Sequence, residues 1–181
     1  MPTGPLSRLR RAALVLPPGS FLFTTKPIGL VARGIEYWTG YPETHVAILF
    51  DDHETNRPWV YEAYPPRARK MPLPEYMALL EKWENRFFVR RAGGLRPVWI
   101  SPPWLPAEVV LMHAKAEELL GTPYRLALNY FRGNDRAMHC SEYAGAVAAV
   151  TGRIEYEGHR ESPGGLMRKL ETIANELEWE T

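Results

Sequence analysis

The sequence predicts a single α+β domain, with strands early in the chain and helices dominating its second half. Three observations predict it. Short runs rich in aromatic and β-branched residues, at 20–25, 45–50 and 59–63, carry the strand signal. Amphipathic spacing over 106–120, a small-residue run from 140, and a segment opened by Ser162-Pro163 carry the helix signal. No repeat or linker-like composition break divides the 181 residues, a length suited to one domain with a substantial core.

Each element has its own warrant. Pro17-Pro18-Gly19 precedes the first strand, Ser20-Phe21-Leu22-Phe23-Thr24-Thr25. Pro27 suits a first helical turn, and Ile28, Val31, Ala32, Ile35 and Trp38 follow at helical spacing up to Gly40. The apolar runs 45–50 and 59–63 flank a polar stretch, so a β-hairpin is expected. Residues 65–70, Pro-Pro-Arg-Ala-Arg-Lys, are expected as a basic, proline-stiffened loop. A helix over 74–83 presents Tyr76, Met77, Leu80 and Trp83 on one side, and strands are expected over 86–91 and 95–100, separated by Gly93-Gly94.

The 106–120 helix is expected to bury Val109, Val110, Met112, His113, Ala116, Leu119 and Leu120, with Gly121 as its stop. Residues 122–139 have no periodicity and lead into a helix over 140–150, ended by Gly152. A last helix spans 164–177. The expected division is one domain over 1–181, with a core over 17–152 and a helical extension over 153–181.

Composition excludes more than it assigns. Lys and Arg total 22 against 21 Asp and Glu, so no global charge draws the chain to nucleic acid or to acidic lipid. Arg8, Arg10 and Arg11 precede the apolar residues 12–16, but this run is shorter than the roughly 7–15 residues of a signal-peptide core. No apolar run reaches the about 20 residues that span a bilayer. The expectation is a soluble chain, cytoplasmic by default, with no nucleic-acid partner and no integral membrane association.

One cysteine, Cys140, cannot form an internal disulfide, and with widely scattered histidines it lacks the spacing of a zinc site. No metal and no cofactor is expected. The thiol falls where a polar loop becomes a helix, at Met138-His139-Cys140-Ser141-Glu142. Unpaired backbone N–H groups and the helix dipole favour thiolate at such a position. The competing reading is a small buried hydrophobe, as most free cysteines are.

A thiol nucleophile needs an imidazole, and the imidazole needs an orienting group. His139 is adjacent to Cys140 and its side chain is expected to point elsewhere. His53 lies in the hairpin turn, His159 in a polar loop, and His113 on the long helix in a structural role. His45 is out of place, opening the apolar strand Val46-Ala47-Ile48-Leu49-Phe50. Folding the hairpin about 53–54 sets Glu62, another misfit in its strand, opposite His45 and within cross-strand reach. A His–Glu pair accounts for both anomalies; a polar pair without function is the alternative.

The stretches Thr44-His45-Val46-Ala47-Ile48, Val60-Tyr61-Glu62-Ala63, Gly121-Thr122-Pro123-Tyr124 and His139-Cys140-Ser141-Glu142-Tyr143, in this order, resemble the circularly permuted NlpC-type papain-like cysteine hydrolases, the YiiX-like group. Pro18-Gly19-Ser20-Phe21-Leu22 matches that group's opening element, and the resemblance runs over 17–152. It implies an antiparallel sheet packed against helices, with the nucleophile at a helix N-terminus. It also implies acyl transfer with Cys140 as nucleophile, His45 as base then acid, Glu62 as orienter, and Tyr124 and Ser141 at the oxyanion and substrate. The implied substrate is a small peptide, amide or acyl compound. Arg125, Ser20 and Ala47 depart from the group's pattern, and Arg125 stands where it would alter the substrate entrance.

Two rivals keep the same fold. One is lipid acyl hydrolysis or transfer on the same three residues; the other is a non-catalytic binding or structural module with an inert Cys140. Arg67, Arg69, Lys70, Arg90, Arg91 and Arg96 are read either as flanks for an anionic substrate or as solvated loop charges. The aromatics Trp38, Tyr41, Trp59, Tyr61, Tyr64 and Trp104 are read as packing, with a groove lining as the alternative.

Overall fold

Strand alternation decides the architecture, because each β-strand sends successive side chains to opposite faces and here both faces are apolar. The computed structural model describes residues 16–25, 42–52, 54–84, 96–125, 137–156 and 158–176. The helix expected over 28–38 and the strand expected over 86–91 lie outside these residues.

Among the described residues, five strands form one antiparallel sheet: β1 (Ser20–Thr25), β2 (His45–Asp51), β3 (Pro58–Tyr64), β4 (Arg67–Pro72) and β5 (Arg96–Ile100), in spatial order β4-β3-β2-β1-β5. One face carries Leu22, Ala47, Leu49 and Val60 and packs on α1 (Leu73–Glu84) through Leu73, Tyr76, Met77 and Leu80. The other carries Phe21, Phe23, Val46, Ile48, Phe50, Tyr61 and Ala63. It is covered by α2 (Pro106–Glu118), α3 (Cys140–Ala149) and α4 (Pro163–Glu176). The protein is thus an α+β fold of an antiparallel sheet between helical layers, and no helix among the described residues is long and apolar enough to cross a membrane.

Residues 65–70 correct one expectation. They are not a basic loop: Pro65-Pro66 makes a tight turn with a cis peptide, and β4 folds straight back on β3. β4 is an edge strand, which explains why charges and prolines are tolerated there. The long helix α2 is also less buried than its spacing suggests. Met112, His113 and Ala116 are buried, while Val110 is 60% exposed and Leu111 53% exposed.

The small residues of α3 serve close packing. A Cβ on Gly145 would sit 3.2 Å from Glu161 Cγ and 3.2 Å from Tyr156 Cδ2, so this helix is seated directly against the segment that follows it. Helix α4 starts with Ser162 Oγ accepting the Gly165 N–H at 3.0 Å, a side-chain cap. It then buries Leu166, Leu170 and Ile173 in the same core as Phe21 and Tyr143. At about 1.5–3 kcal/mol per buried side chain, α4 contributes a large share of an ordinary domain's net stability. Gly19 is required in its place: its φ is +85°, and a Cβ there would meet Trp104 Cδ1 at 2.7 Å.

Candidate active site

The start of β2 and the start of α3 meet at one end of the sheet. His139 caps α3 and the capping box closes with Glu142, whose Oε2 accepts the His139 backbone N–H at 2.9 Å. Cys140 is therefore the first residue of a ten-residue helix, with its N–H unclaimed by the helix itself. Its sulfur lies 3.9 Å from the Thr44 carbonyl oxygen, the residue before β2. Only 3% of Cys140 is exposed.

The register corrects the hairpin. Ile48 faces Tyr61 and Phe50 faces Trp59, so continuing the pairing sets Tyr64, not Glu62, opposite His45. The shift is by two residues, which preserves the face. Glu62 becomes a diagonal neighbour, and its Oε2 accepts from His45 Nε2 at 2.6 Å. The imidazoles of His45 and His139 are both close enough to the sulfur to hydrogen-bond it.

Burial alone would raise the Cys140 thiol. Hydrogen bonds from His139 and His45, with the attraction of their charges, more than reverse that and bring it down to about 5. Glu62 follows the same logic: burial raises its carboxyl, but the His45 hydrogen bond and the charges of His45 and Arg69 hold it below its ordinary value. The sequence reading missed His139 here; its backbone adjacency to Cys140 hid a ring folded back over the helix start.

Arg69 was missed as well. It stands directly opposite Glu62 in the β3–β4 register and donates to Glu62 Oε1 from Nε at 2.9 Å and from Nη2 at 2.6 Å. The signal was present: residues 62 and 69 are equidistant from Pro65-Pro66, and a buried carboxylate with two oxygens wants two partners.

The remaining expected site residues divide. Tyr124 is brought beside the site, because its N–H donates to the Pro66 carbonyl at 2.8 Å and its segment bridges to Met138. Burial first, then the Cys140, Tyr64 and Glu62 charges, push its phenol well above its ordinary value, so it stays a neutral donor. Ser141 is different. Its side chain is fully buried; its hydroxyl donates to the Glu161 carbonyl at 2.7 Å, which anchors the helix, and lies 2.9 Å from His139 Nδ1. Arg125 pairs with buried Glu142 and is 10% exposed itself, so it is interior and not at an entrance.

Other candidates fall away from the site. Lys70 points to the opposite face and pairs with Glu117 at 2.6 Å. His113 stacks on Phe50 and bonds the Tyr61 hydroxyl at 2.8 Å, a structural role as expected. Trp104 packs near Phe21 and donates to the Gly19 carbonyl. Arg90, Arg91, Trp38, Tyr41, His53 and the His159 side chain lie outside the described residues.

No protein-family model and no curated protein sequence matches the chain. Among solved structures it is similar to the crystal structure of the metalloprotein YiiX from Escherichia coli O157:H7, DUF1105, with a TM-score of 0.57 at 19% identity. The match covers 75% of this chain and 66% of that one. The fold is YiiX-like. At this identity the likeness speaks for the YiiX-like fold alone, and the chain spans about two thirds of the YiiX chain's length, 66%.

Proposed function

We propose that the protein is a cysteine hydrolase of amide-type acyl substrates, on a circularly permuted NlpC-type papain-like scaffold, with Cys140, His45 and Glu62 as its catalytic triad. The single observation that carries the reading is the meeting, at one end of the sheet, of a buried thiol at a helix start with an imidazole held at 2.6 Å by a buried carboxylate. Perturbed, buried titratable groups arranged in this way favour catalysis over packing.

In the proposed reaction Cys140 Sγ, as thiolate, attacks the carbonyl carbon; the S–C bond forms and the carbonyl electron pair moves to oxygen. The Cys140 backbone N–H and the Tyr124 hydroxyl are the proposed donors to that oxyanion. As the oxyanion collapses, the C–N bond breaks and His45 gives its proton to the departing nitrogen, leaving a thioester. His45 then takes a proton from water, the hydroxyl adds to the thioester carbon, and the S–C bond breaks to release a carboxylic acid and restore the thiolate. Glu62 holds the ring in one tautomer and offsets its positive charge throughout.

YiiX is described as a metalloprotein. Among the described residues of this chain no group of three or more His, Cys, Asp or Glu is placed to hold a metal ion, and both Glu62 oxygens are engaged by His45 and Arg69. The donor set does not fit a metal, and no step of the proposal uses one. The test is activity-based labelling with acyl-amide and acyl-ester probes, against Cys140→Ala as control. Labelling lost in Cys140→Ala, with its fold intact, supports the triad; equal turnover by that variant rejects it. Preference for long-chain esters over amides would reassign the substrate to lipid acyl groups.

A further inference from the structure

We propose that Arg69 is a positioning residue for the His45–Cys140 pair, acting through Glu62; this rests on the cysteine chemistry proposed above. Both oxygens of Glu62 are committed, Oε2 to His45 Nε2 and Oε1 to the Arg69 guanidinium. Strand pairing, not side-chain chance, sets this contact, since Arg69 directly faces Glu62 on β4. The guanidinium also lies over the Tyr64 ring, 4.5 Å from its centroid, and Tyr64 meets the His45 ring edge to face. Arg69 thus braces the imidazole by two routes, one through a carboxylate and one through a phenol ring.

The charges alternate along the chain of contacts: thiolate, imidazolium, carboxylate, guanidinium. Glu62 is 1% exposed, and Arg69 is the one member reaching solvent, at 32% side-chain exposure. Without it, a buried carboxylate keeps one partner and an unpaired oxygen, and its ionised form becomes costly. A protonated Glu62 no longer stabilises the His45 imidazolium, and the thiolate keeps only the His139 imidazole beside it. Among the described residues, the titratable groups around Glu62 are His45 on β2, Tyr64 on β3, Arg69 on β4, Tyr76 on α1, and Tyr124 and Cys140 beyond them. Arg69 is the only permanent cation in that set, and its planar fork suits the carboxylate in a way an ammonium does not.

The experiment is the rate of Cys140 alkylation by iodoacetamide against pH, on the full chain, for wild type, Arg69→Met, Arg69→Lys and His45→Ala, with a thermal melt of each. Arg69→Met is expected to move the acid limb upward by about one pH unit or more. Arg69→Lys is expected to recover part of that shift. If Arg69→Met lowers the melting temperature but leaves the limb in place, Arg69 only ties β3 to β4 and the proposal is overturned. Should Arg69→Met not fold, Arg69→Lys decides by the same limb: a smaller upward shift supports the proposal and none rejects it. A wild-type limb near the ordinary thiol value of about 8.5, unmoved by His45→Ala, sinks the cysteine reading itself and Arg69's role with it.

Discussion

The rings of His45 and Tyr64 meet edge to face, 6.0 Å between centroids and 86° between planes. Tyr64 in turn stands against Trp83, 5.8 Å away and also T-shaped, and under the Arg69 guanidinium. The imidazole therefore has a wall on one side and a carboxylate at one nitrogen, which fixes its plane before any substrate arrives. Tyr64→Ala is expected to lower kcat on an acyl probe about tenfold by loosening that plane. Both limbs of the pH profile should stay where they are, because the thiol, the imidazole and the carboxylate all remain. Unchanged kcat would take Tyr64 out of the site.

Cys140 is the sole cysteine, so a thiol reagent reports on it alone. Its alkylation rate is expected to rise with a midpoint near pH 5, where a free thiol would rise near 8.5. The sign for stability follows. The folded state releases this proton at lower pH than the unfolded chain, so between about 5 and 8.5 folding is favoured increasingly as pH rises. Cys140→Ser, whose hydroxyl does not ionise there, should show a flatter stability profile by urea titration across that window.

Replacing Glu62 tests both orientation and packing. Glu62→Gln keeps the shape but leaves His45 without an anion and Arg69 without its partner. Turnover is expected to fall by about 10³–10⁴ while residual activity persists. The buried pair it breaks should cost roughly 3 kcal/mol in urea denaturation at neutral pH. Because the Glu62 carboxyl is held below its ordinary value, this gap should close as the pH falls below about 4 and the wild-type carboxylate protonates.

Arg125 and Glu142 should behave as a unit. Both are nearly buried, and Glu142 also closes the capping box in front of Cys140. Arg125→Met alone is expected to destabilise by about 3 kcal/mol and to slow Cys140 alkylation by loosening the helix start. Adding Glu142→Gln should return most of that loss, and a double-mutant cycle measures it. Additive losses would mean the two side chains do not depend on each other.

The His45–Glu62 contact of the candidate site was legible because both residues are misfits. An imidazole opening a Val-Ala-Ile-Leu-Phe strand and a carboxylate inside Trp-Val-Tyr-Glu-Ala have no packing reason to be there, and the structure joins them. The register was legible only modulo two, since side-chain period fixes the face but turn length fixes the pairing. Arg69 hid because a Pro-Pro-Arg-Ala-Arg-Lys run reads as loop by composition, although the same prolines make the turn that turns it into an edge strand. Val110 looks like a core residue because Val109-Val110-Leu111-Met112 is apolar on every side, and spacing alone cannot say which side meets the sheet; it is 60% exposed. Arg125 reads as an entrance residue because sequence shows a residue's chemistry, not whether Glu142 will claim it.

All residues proposed for chemistry precede position 142, yet the helix that presents the sulfur is fastened from behind. Ser141 is latched to the Glu161 carbonyl, and Gly145 lies flush against Glu161 and Tyr156, whose own position α4 secures through the Lys169–Glu161 pair. What reads along the chain as a helical extension is the backstop of the Cys140 thiol. A version of the protein trimmed at Gly152 should not merely melt sooner; its thiol should lose its unusual acidity before the sheet comes apart.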